Sequence, residues 1–171
     1  LYKFKAAAED GAPAAITDLA TNFEGPSLTG TLSFAMPTKT FAGEELTGEL
    51  TWTVTKDGET IATGKANAGE NVTTEPIAFA NDYNSVQVYT ENGVGRSPLY
   101  KTTFFAGPDT PASIGWGEAK LTVDDNRKAT VTWPAVENGI NGGYFVPEDV
   151  TYKLVRMPGE DVVADGLKGT T

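Results

Sequence analysis

The sequence predicts an all-β protein of the Greek-key β-sandwich type. Threonine is abundant, and together with Val, Tyr, Phe and Trp it fills segments in which apolar and polar residues alternate, as they do in half-buried strands. Nineteen glycines and ten prolines interrupt these segments at short intervals, which favours many short strands over long helices. Seven such segments follow one another in roughly 95 residues, a density typical of a sandwich.

The strands of this first region are expected in a simple order. An apolar stretch at residues 16–19 is the first of the seven segments, and Asp57-Gly58, a strong signal for a tight turn, separates the third and fourth. In the sixth segment Val86 and Val88 alternate with polar residues, and we expect it to end at Asn92-Gly93 in a turn that needs positive φ. The six strands after the apolar stretch are predicted at residues 29–35, 48–56, 60–65, 72–77, 83–91 and 97–105.

An internal repeat divides the chain. Five short segments recur in the same order, and their spacing changes only where loops are predicted, which is typical of tandem homologous domains. Chance similarity would not preserve the order of so many segments. Residues 1–3 recur at 99–101, 13–16 at 111–114, 31–34 at 130–133, 50–54 at 150–154, and 58–61 at 159–162.

The second copy is shorter than the first. Nothing in it corresponds to residues 72–105, and half a sandwich leaves an apolar face and a strand edge uncovered. Because the first residue is Leu, we expect the chain to be a piece of a longer protein. The predicted strands of the second copy are residues 118–123, 128–133, 150–156 and 161–164. The predicted organisation is an N-terminal segment at 1–12 that resembles the last strand of an upstream repeat, a complete domain at 13–106, a linker at 107–111 and an incomplete domain at 112–171.

Composition argues against several functions. The formal charge of −10 and the pI near 4.4 give a surface that repels nucleic acid and anionic lipid. The chain contains no cysteine and no histidine, which removes disulfides, thiolate nucleophiles, the usual general base and the commonest metal ligand. No run of about 18 apolar residues is present, so we expect no insertion of this segment into a membrane.

Both copies resemble fibronectin type III domains, which belong to the immunoglobulin-like sandwiches. In the second copy Trp133-Pro134 is similar to the family's buried tryptophan and the proline after it, and Tyr152 is similar to the tyrosine of the next strand. In the first copy the spacing of a later strand and its turn matches the family at Val86, Val88, Asn92, Gly95 and Ser97. The resemblance covers nearly the whole chain and implies tandem Greek-key sandwiches, of which the first is complete and the second is truncated.

The first copy departs from the family pattern at three positions. Phe34 replaces the expected tryptophan, Trp52 replaces the expected tyrosine, and Asn84 stands where a further tyrosine is expected, one residue after Tyr83. A bulge would be needed to turn the Tyr83 ring into that place. Repeats in secreted or outer-surface proteins of gut-type bacteria show a similar tandem arrangement, a similar excess of acidic residues and a segment similar to residues 37–48. The resemblance therefore implies an extracellular or outer-surface location in a bacterium.

Motifs for catalysis are incomplete. The segment ending in Gly64-Lys65 lacks the spacing and the hydroxyl residue of a phosphate loop, and Pro98 stands where a dinucleotide loop needs its third glycine. Adjacent acids can bind calcium or act in glycosidases, but here each pair lies in or beside a predicted turn, which favours a turn-forming role. The pairs are Glu44-Glu45, Asp124-Asp125, Glu148-Asp149 and Glu160-Asp161. We predict no catalytic residue, no metal site and no cofactor.

Aromatic residues in loops are the candidates for ligand binding. Trp116, Tyr144 and Phe145 lie in predicted loops, where exposed rings can stack on sugars or anchor a protein partner. Such residues also close the ends of sandwich cores or fill contacts between domains, and both interpretations stay open. The sequence favours a non-catalytic spacer or adhesion-type module whose partners are the other domains of its parent protein. A carbohydrate- or protein-binding module is the alternative, and an accessory domain of a secreted enzyme is the third.

Overall fold

The computed structural model describes residues 9–115 and 117–170, which form an all-β structure, as predicted. The chain divides after Gly107 into two compact units, called here the first unit (residues 9–107) and the second unit (residues 108–170). The helical element found in these ranges is a single 3₁₀ turn, Pro147–Asp149. None of the described residues forms a helix with the length and hydrophobicity of a membrane span. Residues 1–8 of the predicted N-terminal segment lie outside the described ranges.

The first unit contains two antiparallel sheets. In one sheet the central strand is β2, with β1 on one edge and β5 and β6 on the other, and in the second sheet the order is β4-β3-β7-β8. The chain therefore crosses between the sheets after β2, β4 and β6. The strands are β1 (Ala20–Phe23), β2 (Thr29–Ala35), β3 (Glu49–Lys56), β4 (Glu59–Asn67), β5 (Asn71–Thr73), β6 (Ile77–Ala78), β7 (Tyr83–Glu91) and β8 (Tyr100–Phe105).

One hydrophobic core receives side chains from both sheets. Alternate residues of β2, β3 and β7 are buried, as the two-residue period of a strand requires. The rings of Phe34 on β2 and Trp52 on β3 meet edge to face, with centroids 5.7 Å apart. Val88 of β7 lies opposite Val54 of β3, and both are fully buried. Because inward residues of the two sheets form one buried cluster, the first unit is a sandwich-like all-β fold.

The hairpin between β3 and β4 forms where the sequence predicts it. Asp57 and Gly58 have φ values of 52° and 84°, the left-handed conformation that a two-residue turn between twisted strands requires. Further along the hairpin Trp52 lies opposite Gly64. A Cβ atom on Gly64 would lie only 2.5 Å from the indole Cζ2, so the glycine makes room for the ring.

The turn after β7 does not adopt the positive φ that we expected from its glycines. Gly93 and Gly95 both lie outside the left-handed region, so that prediction is wrong. The Asn92 side chain forms the turn instead, because its Oδ1 accepts hydrogen bonds from the N–H groups of Val94 and Gly95 at 2.9 and 3.0 Å. An asparagine side chain can close a turn in this way while the backbone angles stay ordinary.

A buried asparagine stands where the sequence resemblance led us to expect a tyrosine. Tyr83 is 57% exposed, and β7 pairs with β8 without a bulge, so the Tyr83 ring does not turn inward. Asn84 is 1% exposed. Its side-chain amide donates to the carbonyls of Ala80 and Asp82 at 2.9 and 2.8 Å, and its Oδ1 accepts from Lys56 Nζ at 2.7 Å. Asn84 therefore ties the loop before β7 to the sheet.

Two edge elements differ from the prediction. The apolar stretch at residues 16–19 is not a strand, and β1 begins immediately after it. The residues of β1 are mostly exposed and pair with β2 through the backbone, which leaves little side-chain pattern in the sequence. The predicted strand at residues 72–77 is divided into β5 and β6 around Pro76, because proline has no N–H group to donate to a sheet.

The second unit contains two hairpins, in which β9 pairs with β10 and β11 with β12. Trp133 follows β10 directly and is buried, and its ring lies 5.4 Å from that of Tyr152 on β11. The Tyr152 hydroxyl accepts a hydrogen bond from the Val136 N–H at 3.0 Å. These contacts link the two hairpins through a small core. The strands are β9 (Lys120–Val123), β10 (Ala129–Thr132), β11 (Tyr152–Arg156) and β12 (Asp161–Leu167).

Candidate functional site

Tyr144 and Phe145 line a cleft on the second unit. Its volume of about 250 Å³ is smaller than that of pockets which enclose drug-sized ligands. Tyr144 is 40% exposed and Phe145 is half-buried. The structure therefore brings two of the three candidate aromatics together, while Trp116 lies outside the described residues. The other residues that line the cleft are Pro108, Asp109, Pro111, Val146, Asp149 and Val150.

A short run of backbone hydrogen bonds positions Tyr144. The Asp109 N–H donates to the Tyr144 carbonyl at 2.8 Å, and the Ile140 N–H donates to the Thr110 carbonyl at 2.9 Å. The segment predicted as a linker thus lies beside the glycine-rich loop at residues 138–143. Because hydrogen bonds join these two segments, the backbone that carries Tyr144 and Phe145 is fixed in place.

The Asp109 carboxylate fixes the glycine-rich loop. Its Oδ2 accepts hydrogen bonds from the N–H groups of Asn141 and Gly143 at 2.7 and 3.0 Å. Its Oδ1 accepts from Asn141 Nδ2 at 2.9 Å and from the Thr110 N–H at 2.8 Å. Gly139 lies against the carboxylate, where a Cβ atom would clash. A carboxylate has about four acceptor positions; four donors already use them, so Asp109 serves the loop and not a ligand.

The same hydrogen bonds control the ionisation of Asp109. Desolvation by burial raises its pKa, but the N–H groups of Gly143, Asn141 and Thr110 and the Asn141 side-chain amide stabilise the carboxylate. Together they lower the pKa of Asp109 below its ordinary value. At neutral pH the loop is therefore held by an anion.

An aromatic ring and a second acid remain for a ligand. Tyr144 has an exposed ring, and Asp149, the last residue of the 3₁₀ turn, is an exposed acid that lines the same cleft. A ring can stack on a sugar or an apolar side chain, while a carboxylate accepts hydrogen bonds from hydroxyl or ammonium groups. The combination suits a small neutral or cationic group. Sequence reasoning missed Asp109, although an aspartate between two prolines, with a loop rich in glycine further on, is a usable signal.

In two of the four adjacent acid pairs, one member forms a turn or an ion pair. Asp124 Oδ1 accepts hydrogen bonds from the N–H groups of Asn126 and Lys128 at 2.9 and 2.8 Å, which makes the tight turn predicted there. Asp161 lies 2.6 Å from Arg156 in an exposed ion pair. In residues 9–115 and 117–170 no group of three His, Cys, Asp or Glu side chains is arranged to hold a metal ion.

The chain enters and leaves the first unit at opposite ends of β7. At the start of the unit, the Gly11 carbonyl accepts a hydrogen bond at 2.9 Å from Nδ2 of Asn92, the residue that follows β7. At its close, the Ala106 N–H donates at 3.2 Å to the carbonyl of Asp82, the residue that precedes β7. The nine residues of β7 span about 30 Å. The first unit therefore carries the chain from one end of the sandwich to the other.

Comparisons with known proteins assign no family. The scan against family models finds no match, and the search of curated proteins finds none either.

Proposed function

We propose that the chain is a non-catalytic structural module of a larger exported bacterial protein, a spacer or adhesion-type segment made of tandem fibronectin type III-like sandwiches. The observation that carries this proposal is the separation of the ends of the first unit. Gly11 lies beside the end of β7 and Ala106 lies beside its start. Each such unit adds about 30 Å to the distance between its neighbours, whereas ends placed side by side would add almost no length.

The family part of the proposal is supported by motifs and by strand order. Two sheets around one core, with the chain crossing between them after β2, β4 and β6, suit a Greek-key sandwich. The tandem part is supported by the recurring segments, because three of them overlap strands in both units. These pairs are β2 with β10, β3 with β11, and β4 with β12. The exported location rests on the likeness to bacterial surface repeats.

A distance measurement tests the geometry of a spacer. The chain has no native cysteine, so spin labels can be placed at Asp10→Cys and Asp82→Cys, two exposed positions at opposite ends of the first unit. We expect a single, narrow distance distribution centred near 30 Å. The matched control is Asp10→Cys with Ala42→Cys, because the Ala42 N–H donates to the Asp10 carbonyl at 3.2 Å. A distance as short as that of the control pair would refute the spacer geometry.

A stretching measurement tests whether the spacer holds under load. Force applied between the two ends acts along the strands, so it loads the hydrogen bonds between β7 and β8 together and not one after another. We expect the first unit to unfold in one step that lengthens the chain by about 30 nm. Gradual lengthening without a discrete step would contradict a load-bearing role.

The cleft supports a second candidate, a module that binds a glycan or a protein through Tyr144 and Phe145. A glycan array and a pull-down with the full chain test it. If the candidate is correct, the double variant Tyr144→Ala/Phe145→Ala loses the signal and Ile140→Ala keeps it. Ile140 is the matched control because it is 61% exposed in the same loop and does not line the cleft. Silence of the unmodified chain in both assays would count against this candidate.

A further inference from the structure

Three asparagines of the chain are followed directly by glycine, at Asn92, Asn138 and Asn141. Asparagine is one of the chemically unstable residues of proteins, and a glycine after it has no Cβ to keep another group away from its main-chain nitrogen. That nitrogen can attack the side-chain carbonyl carbon of the asparagine. Since all three pairs have the same two residues, their surroundings in the folded chain decide which of them reacts.

The side chain of Asn92 is held through both atoms of its amide. Its Nδ2 donates a hydrogen bond at 2.9 Å to the Gly11 carbonyl. Its Oδ1 accepts hydrogen bonds from the N–H groups of Val94 and Gly95 at 2.9 and 3.0 Å. Attack by the Gly93 nitrogen would require the amide to turn away from these partners, so the fold protects this pair.

The pair Asn141-Gly142 is held by the Asp109 carboxylate. Asn141 Nδ2 donates to Asp109 Oδ1 at 2.9 Å, and the Asn141 N–H donates to Asp109 Oδ2 at 2.7 Å. The attacking nitrogen is also engaged, because the Gly142 N–H donates to the Gly139 carbonyl at 3.4 Å. This pair is therefore protected as well.

The remaining pair, Asn138-Gly139, has neither restraint. Asn138 is exposed, and within residues 9–115 and 117–170 neither its side-chain amide nor the Gly139 N–H has a hydrogen-bond partner. The hydrogen bonds around the pair use other groups. The Ala112 N–H donates to the Asn138 carbonyl at 3.0 Å, and the Ile140 N–H donates to the Thr110 carbonyl at 2.9 Å. The two reacting groups are therefore available in the folded chain.

We propose that Asn138-Gly139 is a site of spontaneous deamidation in the folded protein and that it reacts ahead of the other two pairs. The Gly139 nitrogen forms a bond to Asn138 Cγ and gives up its proton, and the bond from Cγ to Nδ2 breaks as ammonia leaves. Water then opens the cyclic imide at either of its carbonyls, which gives aspartate or isoaspartate. Water is the only co-reactant, and each product gains a negative charge.

The isoaspartyl product changes the contact between the segment at residues 110–112 and the glycine-rich loop. Its main chain runs through the former side chain and is longer by a methylene group between Asn138 and Gly139. The hydrogen bonds of Ala112 and Ile140 lie on either side of that point. Both cannot keep their register, so deamidation loosens the loop from the segment beside it.

Mass spectrometry of the full chain, aged at mildly alkaline pH, measures the reaction at each pair. In the folded chain Asn138 should react at least about tenfold faster than Asn92 or Asn141, because the held pairs must first break hydrogen bonds. In guanidinium chloride the three pairs should react at similar rates, since the unfolded chain lacks these contacts. The variant Asn138→Gln should remove the fast phase, because the longer side chain closes the ring far less readily.

Hydrogen exchange tests the structural consequence. The isoaspartyl form separates from the unmodified chain by ion exchange, and its Ala112 and Ile140 amides should exchange at least about tenfold faster. The matched control is Asn138→Asp, which has the same added charge and an ordinary main chain, and it should keep both amides protected. The amides of β3 in the first unit should not change in either form.

Three results would overturn the inference. Equal rates at the three pairs of the folded chain would show that their hydrogen bonds do not control the reaction. Slower reaction at Asn138 than at Asn92 or Asn141 would show that the backbone around Gly139 prevents the attack. Unchanged exchange of Ala112 and Ile140 in the isoaspartyl form would show that the product does not loosen the loop.

Discussion

The two units bury aligned positions to very different degrees. Leu32 and Val54 of the first unit are 0% exposed, whereas the aligned Val131 and Leu154 of the second unit are half-buried. The alternation of apolar and polar residues is similar in both, so the pattern decides which face turns inward. The pattern does not determine which neighbouring elements cover this face. Strands with the same pattern can therefore differ in the stability they provide.

Truncation of one aligned pair is the strongest test of this comparison. Leu32→Ala should lower the free energy of unfolding of the first unit by about 3 kcal/mol, because a fully buried leucine leaves a cavity. Val131→Ala should cost the second unit less than about 1 kcal/mol, since a half-buried valine loses less apolar contact area. Urea titrations followed by NMR signals from each unit measure both values. Equal losses would show that burial does not distinguish the units.

Central strands were the part of the fold that the sequence could predict. The expected strands at residues 29–35 and 83–91 have the bounds of β2 and β7, because a central strand buries alternate residues and so carries a clear period. The edge strand β1 was missed, since its exposed residues pair through the backbone. The turn after β7 was misjudged because the Asn92 side chain, and not a glycine, closes it.

The candidate site could be predicted only in part. Tyr144 and Phe145 were identified as loop aromatics, and they line the cleft. The contribution of Asp109 was missed because its donors at Asn141 and Gly143 lie more than thirty residues further along the chain. Backbone N–H groups carry no side-chain signature, so sequence pattern alone cannot show which ones converge on a carboxylate.

The two units also differ in how a polar side chain holds a loop. In the first unit Asn84 is neutral and 1% exposed, and it donates to the carbonyls of Ala80 and Asp82. In the second unit Asp109 is half-buried and ionised, and it accepts from N–H groups of the glycine-rich loop. The hydrogen bonds of the neutral Asn84 side chain depend on its burial, whereas those of the charged Asp109 side chain depend on pH.

Removal of the buried asparagine should have the second largest effect. Asn84→Ala should lower the free energy of unfolding of the first unit by about 2 to 3 kcal/mol, because Lys56 Nζ and the Ala80 N–H lose Asn84 Oδ1 as their acceptor and two carbonyls each lose one of their donors. The exposed neighbour Ser85 offers a matched control, and Ser85→Ala should change the value by less than about 0.5 kcal/mol. Thermal or urea unfolding measures both variants. A small effect of Asn84→Ala would mean that water replaces the side chain at little cost.

The two units also differ in the space beside an aromatic ring of the core, and here the expected loss of stability is smaller. Gly64→Ala should cost the first unit about 1 to 2 kcal/mol, because the new methyl group displaces the Trp52 ring. In the second unit Tyr152 lies opposite Leu167, which is half-buried, and Leu167→Ala should cost less than about 1 kcal/mol. Unfolding curves and the NMR signal of the Trp52 indole N–H report the change. An unaltered Trp52 signal in Gly64→Ala would show that the ring has room to spare.

The smallest expected effect is a local response to acid in the second unit. The folded pKa of Asp109 lies below its ordinary value of 3.8, so the stabilisation of its loop is complete above that pH and is lost as the pH falls through the folded pKa. Asp165 titrates in the same direction, held by Lys153 and the Gly166 N–H, so a global unfolding curve would mix the two groups. We therefore expect the clearest signal in the amide chemical shifts of Asn141 and Gly143.

The amide chemical shifts of Asn141 and Gly143 should titrate below pH 3.8 in the unmodified chain. They should stay constant in Asp109→Asn, which has no charge to lose. The Asn84 side-chain amide of the first unit should not follow this transition, because its hydrogen bonds join neutral carbonyl groups. Titration of Asn141 and Gly143 at or above the ordinary value of 3.8 would mean that the four hydrogen bonds do not outweigh the desolvation of Asp109. The Asp109 carboxylate would then hold the glycine-rich loop no more strongly than an exposed carboxylate does, and the contrast with the neutral Asn84 side chain would not hold.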